Sequence, residues 1–412
     1  WTLKNGIKVV VRPSTLKADE VQIVTIAKGG KSMLSIEESL QADYLAMVMQ
    51  QSGIGNFSAT ELAKQLSGKS AFATVGVGAY EHSISAGGSP KDIETILQLI
   101  YLNFTAPRFD QTDLDNLKRM YVPYFSNMES DPNYIMAKQS NSALYKNNPR
   151  RQVSSAAHIE TLSIEALRGV HSKLYSDADS FRFMIIGNVD LQTLEPLVER
   201  YIGSLPTSKK TEYAAIDDGV RMAEGKTTND FTAQMQQPKV SVNLTYSGEI
   251  ADNAKNRVAL DLLKRALDSR YMISIREEKG GTYGVRVSGG TNKYPVEQYV
   301  ITIKFDTNEQ LADELVEICD KEIKRIAEEG PLVEDIAKSK EFLQKNYNNI
   351  LESNSGWLST IYNWYEEGYN YKDEYLDILA SITEDDIKAL AQRILADGNR
   401  TLVVMRPGAT TE

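Results

Sequence analysis

The sequence is poor in the residues on which metal binding and nucleophilic catalysis usually depend. Its 412 residues include one cysteine and three histidines. The single cysteine, Cys319, cannot form an internal disulfide, and its place in a helical pattern predicts a small core residue. Because bacterial periplasmic proteins often lack disulfides too, the cysteine count does not fix the compartment.

Long apolar runs and basic blocks are absent as well. No apolar run approaches the roughly 18–20 residues that a helix needs to span a bilayer. The net charge is −10 and no block of Lys and Arg stands out. This charge balance argues against nucleic acid or an anionic membrane surface as the main partner. Because the chain begins at Trp1, without Met or a signal-type segment, we expect a processed or subcloned piece of something longer.

The three histidines do not form a metal-binding pattern. His82 lies in a strand-like run and is expected to be a partly exposed sheet residue. His158 precedes a helix that carries His171, and neither has a second His or Cys at ligand spacing. No Ser/His/Asp signature, phosphate-binding loop or dinucleotide fingerprint is present. On its own, the chain is not expected to be a working enzyme.

The two halves of the chain form an internal repeat. Matching positions are separated by a constant offset of 220, for example Ser163 and Thr383 (383 − 163). The same offset joins Leu162 to Ile382, Leu167 to Ile387, Val170 to Leu390, Leu174 to Ile394, Asp177 to Asp397 and Phe183 to Val403. Both halves also follow the same order of strand and helix patterns. The repeat predicts two homologous domains.

The predicted domains are residues 1–207 and 233–412, joined by a polar linker at 208–232. A long helical region is expected from Gln111 to about Tyr145. The mixture of alternating strands and amphipathic helices predicts an α+β fold. Each domain is expected to have a mostly antiparallel sheet with helices packed on one face.

The stretch from Ile275 to Val287 is the strongest candidate for a functional site. A charged helix end reaches Arg276 and runs into Gly280 and Gly281, where the backbone can turn with positive φ. Tyr283 then opens a strand-like run. By themselves, Arg276 and Tyr283 fit either a chemical role or a purely structural one. In the structural role, Arg276 forms a salt bridge to a helix neighbour and Tyr283 packs on the strand.

The chain resembles half of a pitrilysin/insulinase-type zinc peptidase, of the inverzincin clan. The likeness rests on the opening run 3–9 (Leu-Lys-Asn-Gly-Ile-Lys-Val), the strand end 186–190 (Ile-Gly-Asn-Val-Asp) and the closing run 401–404. It extends over nearly the whole chain and implies a metallopeptidase LuxS/processing-peptidase-like fold. In that family, the half without zinc supplies an Arg and a Tyr seven positions apart, as are Arg276 and Tyr283 here.

The sequence departs from the family at the zinc helix, which would lie at residues 35–51. That segment has Glu37, Glu38 and Asp43 but no histidine, so the His-x-x-Glu-His motif is absent. The resemblance therefore implies the non-zinc half, without a metal of its own. Zinc is expected in a partner half, on the same polypeptide or on a separate subunit.

The resemblance also implies roles for the two candidate residues. Attack of water on a peptide carbonyl builds negative charge on its oxygen, and a fixed phenol such as Tyr283 could donate to it. The guanidinium of Arg276 could hold carbonyl groups of a peptide substrate with several donors. The chain would thus close the chamber and assist peptide-bond hydrolysis performed by the zinc-bearing half.

A second interpretation stays open. A degenerate relative of a peptidase could serve as an inactive scaffold or as a peptide-binding subunit. The intact pair of Arg276 and Tyr283 favours the first interpretation, because a pure scaffold has no need of it. Relatives often occur in the periplasm or in organelles, so the periplasm is the expected compartment, with the cytoplasm as the alternative.

Overall fold

The computed structural model describes residues 1–208, 213–280, 282 and 284–408. In these ranges, ten strands form two five-stranded sheets. The strands of the first sheet are β1 (Lys8–Pro13), β2 (Val21–Lys28), β3 (Ala71–Val77), β4 (Glu81–Gly88) and β5 (Arg182–Gly187). The strands of the second are β6 (Lys226–Ala233), β7 (Val240–Glu249), β8 (Val285–Asn292), β9 (Gln298–Thr307) and β10 (Asn399–Pro407).

The two sheets have the same topology. Their strand orders are β1-β5-β2-β4-β3 and β6-β10-β7-β9-β8, so the second order is the first with every number raised by five. In each sheet the first and last strands of the repeat pair in parallel, and the other pairs are antiparallel. The predicted α+β fold with two homologous sheet-and-helix domains is confirmed.

Fifteen α-helices in the described residues accompany the sheets. In the first half they are α1 (Ile36–Ala42), α2 (Leu45–Ser52), α3 (Ala59–Gln65), α4 (Ile93–Thr105), α5 (Gln111–Met128), α6 (Pro132–Leu144), α7 (Ala156–Glu160), α8 (Ile164–Tyr175) and α9 (Leu191–Tyr201). In the second half they are α10 (Ala254–Tyr271), α11 (Ala312–Glu329), α12 (Val333–Leu351), α13 (Asn354–Tyr362), α14 (Tyr371–Ser381) and α15 (Glu384–Asp397).

Matching helix starts show the repeat at the level of single side chains. Ser163 caps α8 by accepting from the backbone N–H of Ala166. Thr383, at the equivalent position, caps α15 by accepting from the N–H of Asp386. Such caps satisfy N–H groups that the helix itself leaves unpaired. The apolar residues aligned at this offset are buried in both helices, which places α8 and α15 in their respective cores.

The predicted helical region from Gln111 to about Tyr145 is two helices rather than one. Asp131 accepts a hydrogen bond from Asn133 N–H, and Pro132 occupies the first turn of α6. Proline suits a helix start because its missing N–H would be unpaired there anyway. The chain therefore breaks between α5 and α6, which frees α6 to pack independently of α5.

Each compact unit of the chain contains a segment from the other half. The first unit comprises Trp1–Ser126, Ser154–Asp218 and Asn349–Glu366. The second comprises Asn127–Val153, Gly219–Asn348 and Glu367–Glu412. The boundaries 1–207 and 233–412, predicted for the repeats, are contiguous and stay a prediction. Within the expected linker, 208–232, the chain already forms most of β6.

In the first unit, α13 packs on the face of the sheet opposite to the main helical layer. Phe183 and Ile185 of β5 point into the main core, whereas Met184 and Ile186 form a smaller cluster with Ile361 of α13. Because side chains alternate along a strand, β5 is buried on both faces. In the second unit the corresponding segment is α6, whose Ser140 Oγ accepts from Asn243 Nδ2 on β7 at 2.9 Å.

Candidate substrate-binding site

Helix α10 brings the candidate segment to the edge of the second sheet. Asn253 caps its start by accepting from Asn256 N–H. At its other end, Tyr271 is fully buried and donates to the carbonyl oxygen of Cys319 at 3.1 Å. Cys319 is itself buried, as the sequence predicts. The end of α10 is therefore held in the core just before the candidate residues.

A π-helical turn, Met272–Glu277, continues α10 and carries Arg276. Ile275 is buried and fixes this turn to the core, and Ser274 Oγ donates to the carbonyl oxygen of Arg270 at 2.9 Å. π-Helical turns are rare and are frequent at functional sites. In this wider turn Ile275 is buried, whereas the side chain of the next residue, Arg276, lies on the surface.

The Arg276 side chain is exposed and has no ion pair with any described residue. Its Nη1 lies 3.2 Å from the thioether sulfur of Met272, a weak acceptor. Nearby Lys279 pairs instead with Glu314 at 2.6 Å. The structural alternative, a salt bridge from Arg276 to a helix neighbour, is therefore wrong within the described chain. The guanidinium retains N–H donors that could bind a ligand.

The turn after Arg276 leads directly into the edge strand β8. Gly280 has a φ of +60°, a conformation that side chains with a Cβ disfavour, and its N–H donates to Arg276 O at 3.1 Å. β8 begins at Val285, as the alternating pattern predicts. Gly281 and Tyr283 lie outside the described residues. The distance between the Arg276 and Tyr283 side chains therefore stays untested, and the assignment of both as site residues stays a prediction.

The predicted zinc-helix segment, 35–51, forms α1 and most of α2, and its acidic side chains have structural partners. Glu38 closes a capping box with Ser35 and pairs with Lys173 at 2.5 Å. Asp43 pairs with Lys31 at 2.6 Å. Burial alone would raise the pKa of Glu38, but Lys173 and the N–H of Ser35 hold it below its usual value. The residues present do not fit a zinc ion.

Within the described residues, no group of three or more His, Cys, Asp or Glu side chains could hold a metal ion. His171 is buried on α8, where its Nε2 lies 2.7 Å from Asn103 O. His158 lies in α7, one turn from its cap. Both histidines occupy helices, and His171 serves the packing of the first core.

The prediction that His82 is partly exposed is wrong, because its side chain is buried. β4 lies between β2 and β3, and the imidazole faces the rings of Tyr175, Phe181 and Tyr213 at centroid distances of 5.4, 5.0 and 4.8 Å. Its Nδ1 accepts from Gly30 N–H at 3.3 Å. Burial lowers the pKa of His82 to about 4, so the ring is neutral at physiological pH.

The second sheet has a polar face that was not predicted from the sequence. β7 alternates apolar residues with Ser241, Asn243, Thr245 and Ser247, and all four polar side chains are buried. Strand pairing places Lys304 of β9 beside Asn243, and Arg286 of β8 beside Lys304. The alternation was the available signal, since a strand with regular polar positions has one polar face.

The described residues show a duplicated α+β fold, a helix segment at 35–51 without zinc ligands and an exposed arginine after a helix end. These are the features that the resemblance to a zinc-free peptidase half leads us to expect. Comparisons with known proteins agree. Residues 161–343, which include Arg276 and Tyr283, match the family described as "Peptidase M16 inactive domain".

Three relatives illustrate the likeness. A "Zinc protease PQQL-like" of Arabidopsis thaliana is 22% identical over 378 residues, which cover 89% of this chain and 37% of the relative. The crystal structure of the periplasmic protease PqqL from Escherichia coli superimposes with a TM-score of 0.86 at 19% identity, over 99% of this chain and 45% of that one. A peptidase M16 inactive domain from Pseudomonas fluorescens has a TM-score of 0.79 at 17% identity, over 100% of this chain and 98% of that one.

The match to the M16 inactive domain covers 183 of the 412 residues (343 − 161 + 1), and the chain shares the fold of these M16 structures. The chain spans less than half the length of the curated zinc proteases that it matches. No helix among the described residues has the length and apolar character that crossing a membrane requires.

Proposed function

We propose that this chain is the non-zinc half of a pitrilysin-type zinc metalloendopeptidase. It closes the chamber and contacts the peptide whose bond is hydrolysed at the zinc-bearing half. The observation that carries the proposal is Arg276, which is exposed on a π-helical turn without an ion-pair partner in the described residues. A solvated guanidinium held by a rigid helix end suits a ligand that arrives from outside the chain.

Arg276 is the substrate-binding residue in this proposal. Its planar group presents several N–H donors, and peptide carbonyl oxygens are matching acceptors. The buried anchors Tyr271 and Ile275 fix the turn, so that little side-chain and backbone freedom is lost when a peptide binds. The family match across 161–343 supports a peptide as the ligand.

Tyr283 is the catalytic residue in this proposal, assisting the oxyanion by donating its phenol proton as a hydrogen bond. A donor aimed at the developing charge is worth roughly 10²–10³-fold in rate. The zinc ion, in the partner half, supplies the activation of water. Because the chain spans less than half of its curated relatives, that partner is either a further part of the same polypeptide or a separate subunit.

The alternative function is an inactive scaffold or a peptide-binding subunit without any part in hydrolysis. It is favoured by the absence of histidine from 35–51 and by the structural use of Glu38 and Asp43. For the compartment we propose the periplasm, supported by the E. coli relative, which is described as a periplasmic protease. The cytoplasm is the alternative.

Kinetics of the assembled enzyme test these roles. We expect Tyr283→Phe to lower kcat by roughly 10²–10³-fold with little change in KM, because only a transition-state contact is removed. Arg276→Ala should raise KM instead, and Arg276→Lys should restore part of the affinity. Lys338→Ala, on the exposed surface of α12, is the control and should leave both constants unchanged. Unchanged kcat in Tyr283→Phe would exclude the catalytic role.

A further inference from the structure

Helix α6 and the second sheet enclose a groove that the functional assignment does not explain. One stretch of about 430 Å³ has Asn133, Met136 and Ala137 of α6 on one wall and Asn243 and Lys304 of the sheet on the other. Gly284, which follows Tyr283 in the chain, also lines it. Beyond Asn133, a wider stretch of about 680 Å³ continues to the turn between β6 and β7.

Two cationic side chains lie side by side in the sheet next to this groove. Lys304 and Arg286 are paired neighbours on β9 and β8, and their side chains therefore share one face. Both are exposed and have no ion pair or side-chain hydrogen bond among the described residues. The nearest acid along β9, Asp306, is already bound by Lys239 at 2.7 Å and by Ser241 Oγ at 2.7 Å.

The charge of this face contrasts with that of the chain. The whole protein carries a net charge of −10, whereas Lys304 and Arg286 place two positive charges on this face without an ion pair to any described residue. Like charges on directly opposed strand positions destabilise a sheet. A pair that weakens the fold in this way is consistent with a role in binding an anionic group.

Asn243 supplies a second, independent sign of a ligand. Its side chain is nine-tenths buried and lines the groove, and its Nδ2 donates to Ser140 Oγ. Its Oδ1 is buried without a hydrogen-bond partner in the described chain. An unpaired buried acceptor is unfavourable, and an N–H group that entered the groove and reached Asn243 Oδ1 would satisfy it.

We propose that this groove is a specificity subsite for an extended peptide segment that carries a carboxylate. The carboxylate binds Lys304 and Arg286, and a backbone N–H of the peptide binds Asn243 Oδ1. A peptide supplies both kinds of group, whereas an inorganic anion supplies no donor for Asn243. The inference rests on the proposed function, since Gly284, which lines the groove, follows Tyr283 directly in the chain.

Binding of labelled short peptides to the isolated chain tests the proposal by fluorescence anisotropy. One probe carries Asp and Glu side chains and an amidated C-terminus; a second has neutral side chains and a free C-terminus. A third is neutral and amidated. We expect the first or the second to bind about tenfold or more tightly than the third, with an affinity that falls as salt is added. The first two probes distinguish a side-chain carboxylate from a C-terminal one.

Variants make the test specific to the groove. Lys304→Ala with Arg286→Ala should abolish the preference for the carboxylate, whereas the control Lys338→Ala with Lys345→Ala, both on α12, should keep it. Asn243→Leu should weaken all three probes alike, because the amide contact is common to them. Equal binding of the three probes, or a preference retained in Lys304→Ala with Arg286→Ala, would overturn the subsite.

These outcomes are separable from those of the proposed function. Carboxylate-dependent binding uses the chain alone, whereas the Tyr283→Phe effect requires the assembled peptidase. If the parent chain shows no preference for the carboxylate probes but Tyr283→Phe lowers kcat, only the subsite proposal is rejected. If the carboxylate preference is observed but Tyr283→Phe leaves kcat unchanged, only the catalytic role of Tyr283 is rejected.

Discussion

The backbone N–H of Val287 donates a hydrogen bond to Asp268 Oδ1 at 3.1 Å, joining the edge strand β8 to helix α10. Two residues further along the strand, the carbonyl oxygen of Gly289 accepts from Lys264 Nζ at 2.9 Å. Unpaired groups on an edge strand invite pairing with another chain. Asp268 and Lys264 cover this edge and fix the strand that follows the Arg276–Tyr283 segment.

Replacing Asp268 by Ala should loosen the start of β8. The amide of Val287 would lose its acceptor, so its hydrogen exchange should become at least about tenfold faster, equivalent to about 1.4 kcal/mol of local opening. Asp268→Asn is the matched control, because it retains a carbonyl oxygen at the same position. Exchange measured by mass spectrometry or NMR should separate the two variants; equal rates in Asp268→Ala and the parent would show that Asp268 does not hold the strand.

Arg257 and Asp252 form an ion pair in the second unit whose carboxylate is enclosed. Two guanidinium nitrogens of Arg257 donate to the Asp252 carboxylate at 2.8 and 2.6 Å, and that carboxylate is fully buried. Tyr369 Oη donates to the same carboxylate at 3.1 Å. Burial alone would raise the pKa of Asp252, but Arg257 outweighs it and keeps the pKa below its usual value.

Arg257→Ala should therefore destabilise the protein by about 3–5 kcal/mol, since it leaves a buried carboxylate without its counter-charge. Arg325→Ala is the control, because Arg325 and Glu329 form an exposed pair within one helix. Its cost should stay below about 0.5 kcal/mol. Urea unfolding measures both values, and a loss of similar size in the two variants would contradict the enclosed-pair account.

His82 should make the first unit sensitive to acid. Burial lowers its pKa to about 4 in the folded chain, below the value of about 6.5 for an unfolded chain. Between those pH values only the unfolded state binds the proton, so stability falls as the pH decreases through this range. Below about pH 4 both states are protonated and the loss levels off. The full effect is about 3 kcal/mol.

His82→Phe should reduce this slope between pH 6.5 and 4 while keeping an aromatic ring among Tyr175, Phe181 and Tyr213. His171 also has a pKa lowered by burial, so part of the acid sensitivity should persist. Thermal unfolding followed over this pH range checks the change in slope. An unchanged slope would mean that His82 titrates normally in the folded protein.

The duplicated fold could be predicted because the repeat is visible in local sequence signals, namely helix caps and apolar periodicity. Ser163 and Thr383 cap equivalent helices, and the buried positions that follow them share one helical period. Caps and periodicity depend on nearby residues only, so the sequence alone reveals them. Cys319 was placed correctly in a core for the same reason.

The exchange of α6 and α13, by which each helix packs in the unit formed mainly by the other half of the chain, could not be predicted in this way. Periodicity shows which face of a helix is apolar, but it does not show which sheet that face will cover. Ser140 of α6 bonds to Asn243, which is more than a hundred positions further along the chain. The groove and its cations arise from this exchange and from strand register, and both depend on tertiary pairing.

Reconstitution tests the central claim most directly. The purified chain is mixed with the pitrilysin-type half that carries His-x-x-Glu-His, encoded upstream in the same reading frame or in a neighbouring gene, and cleavage of an unstructured peptide is measured. The proposed function predicts little or no cleavage by either half alone, activity in the mixture, and a loss of roughly 10²–10³-fold with Tyr283→Phe. Full activity of the zinc half alone, unchanged by adding this chain, would contradict it.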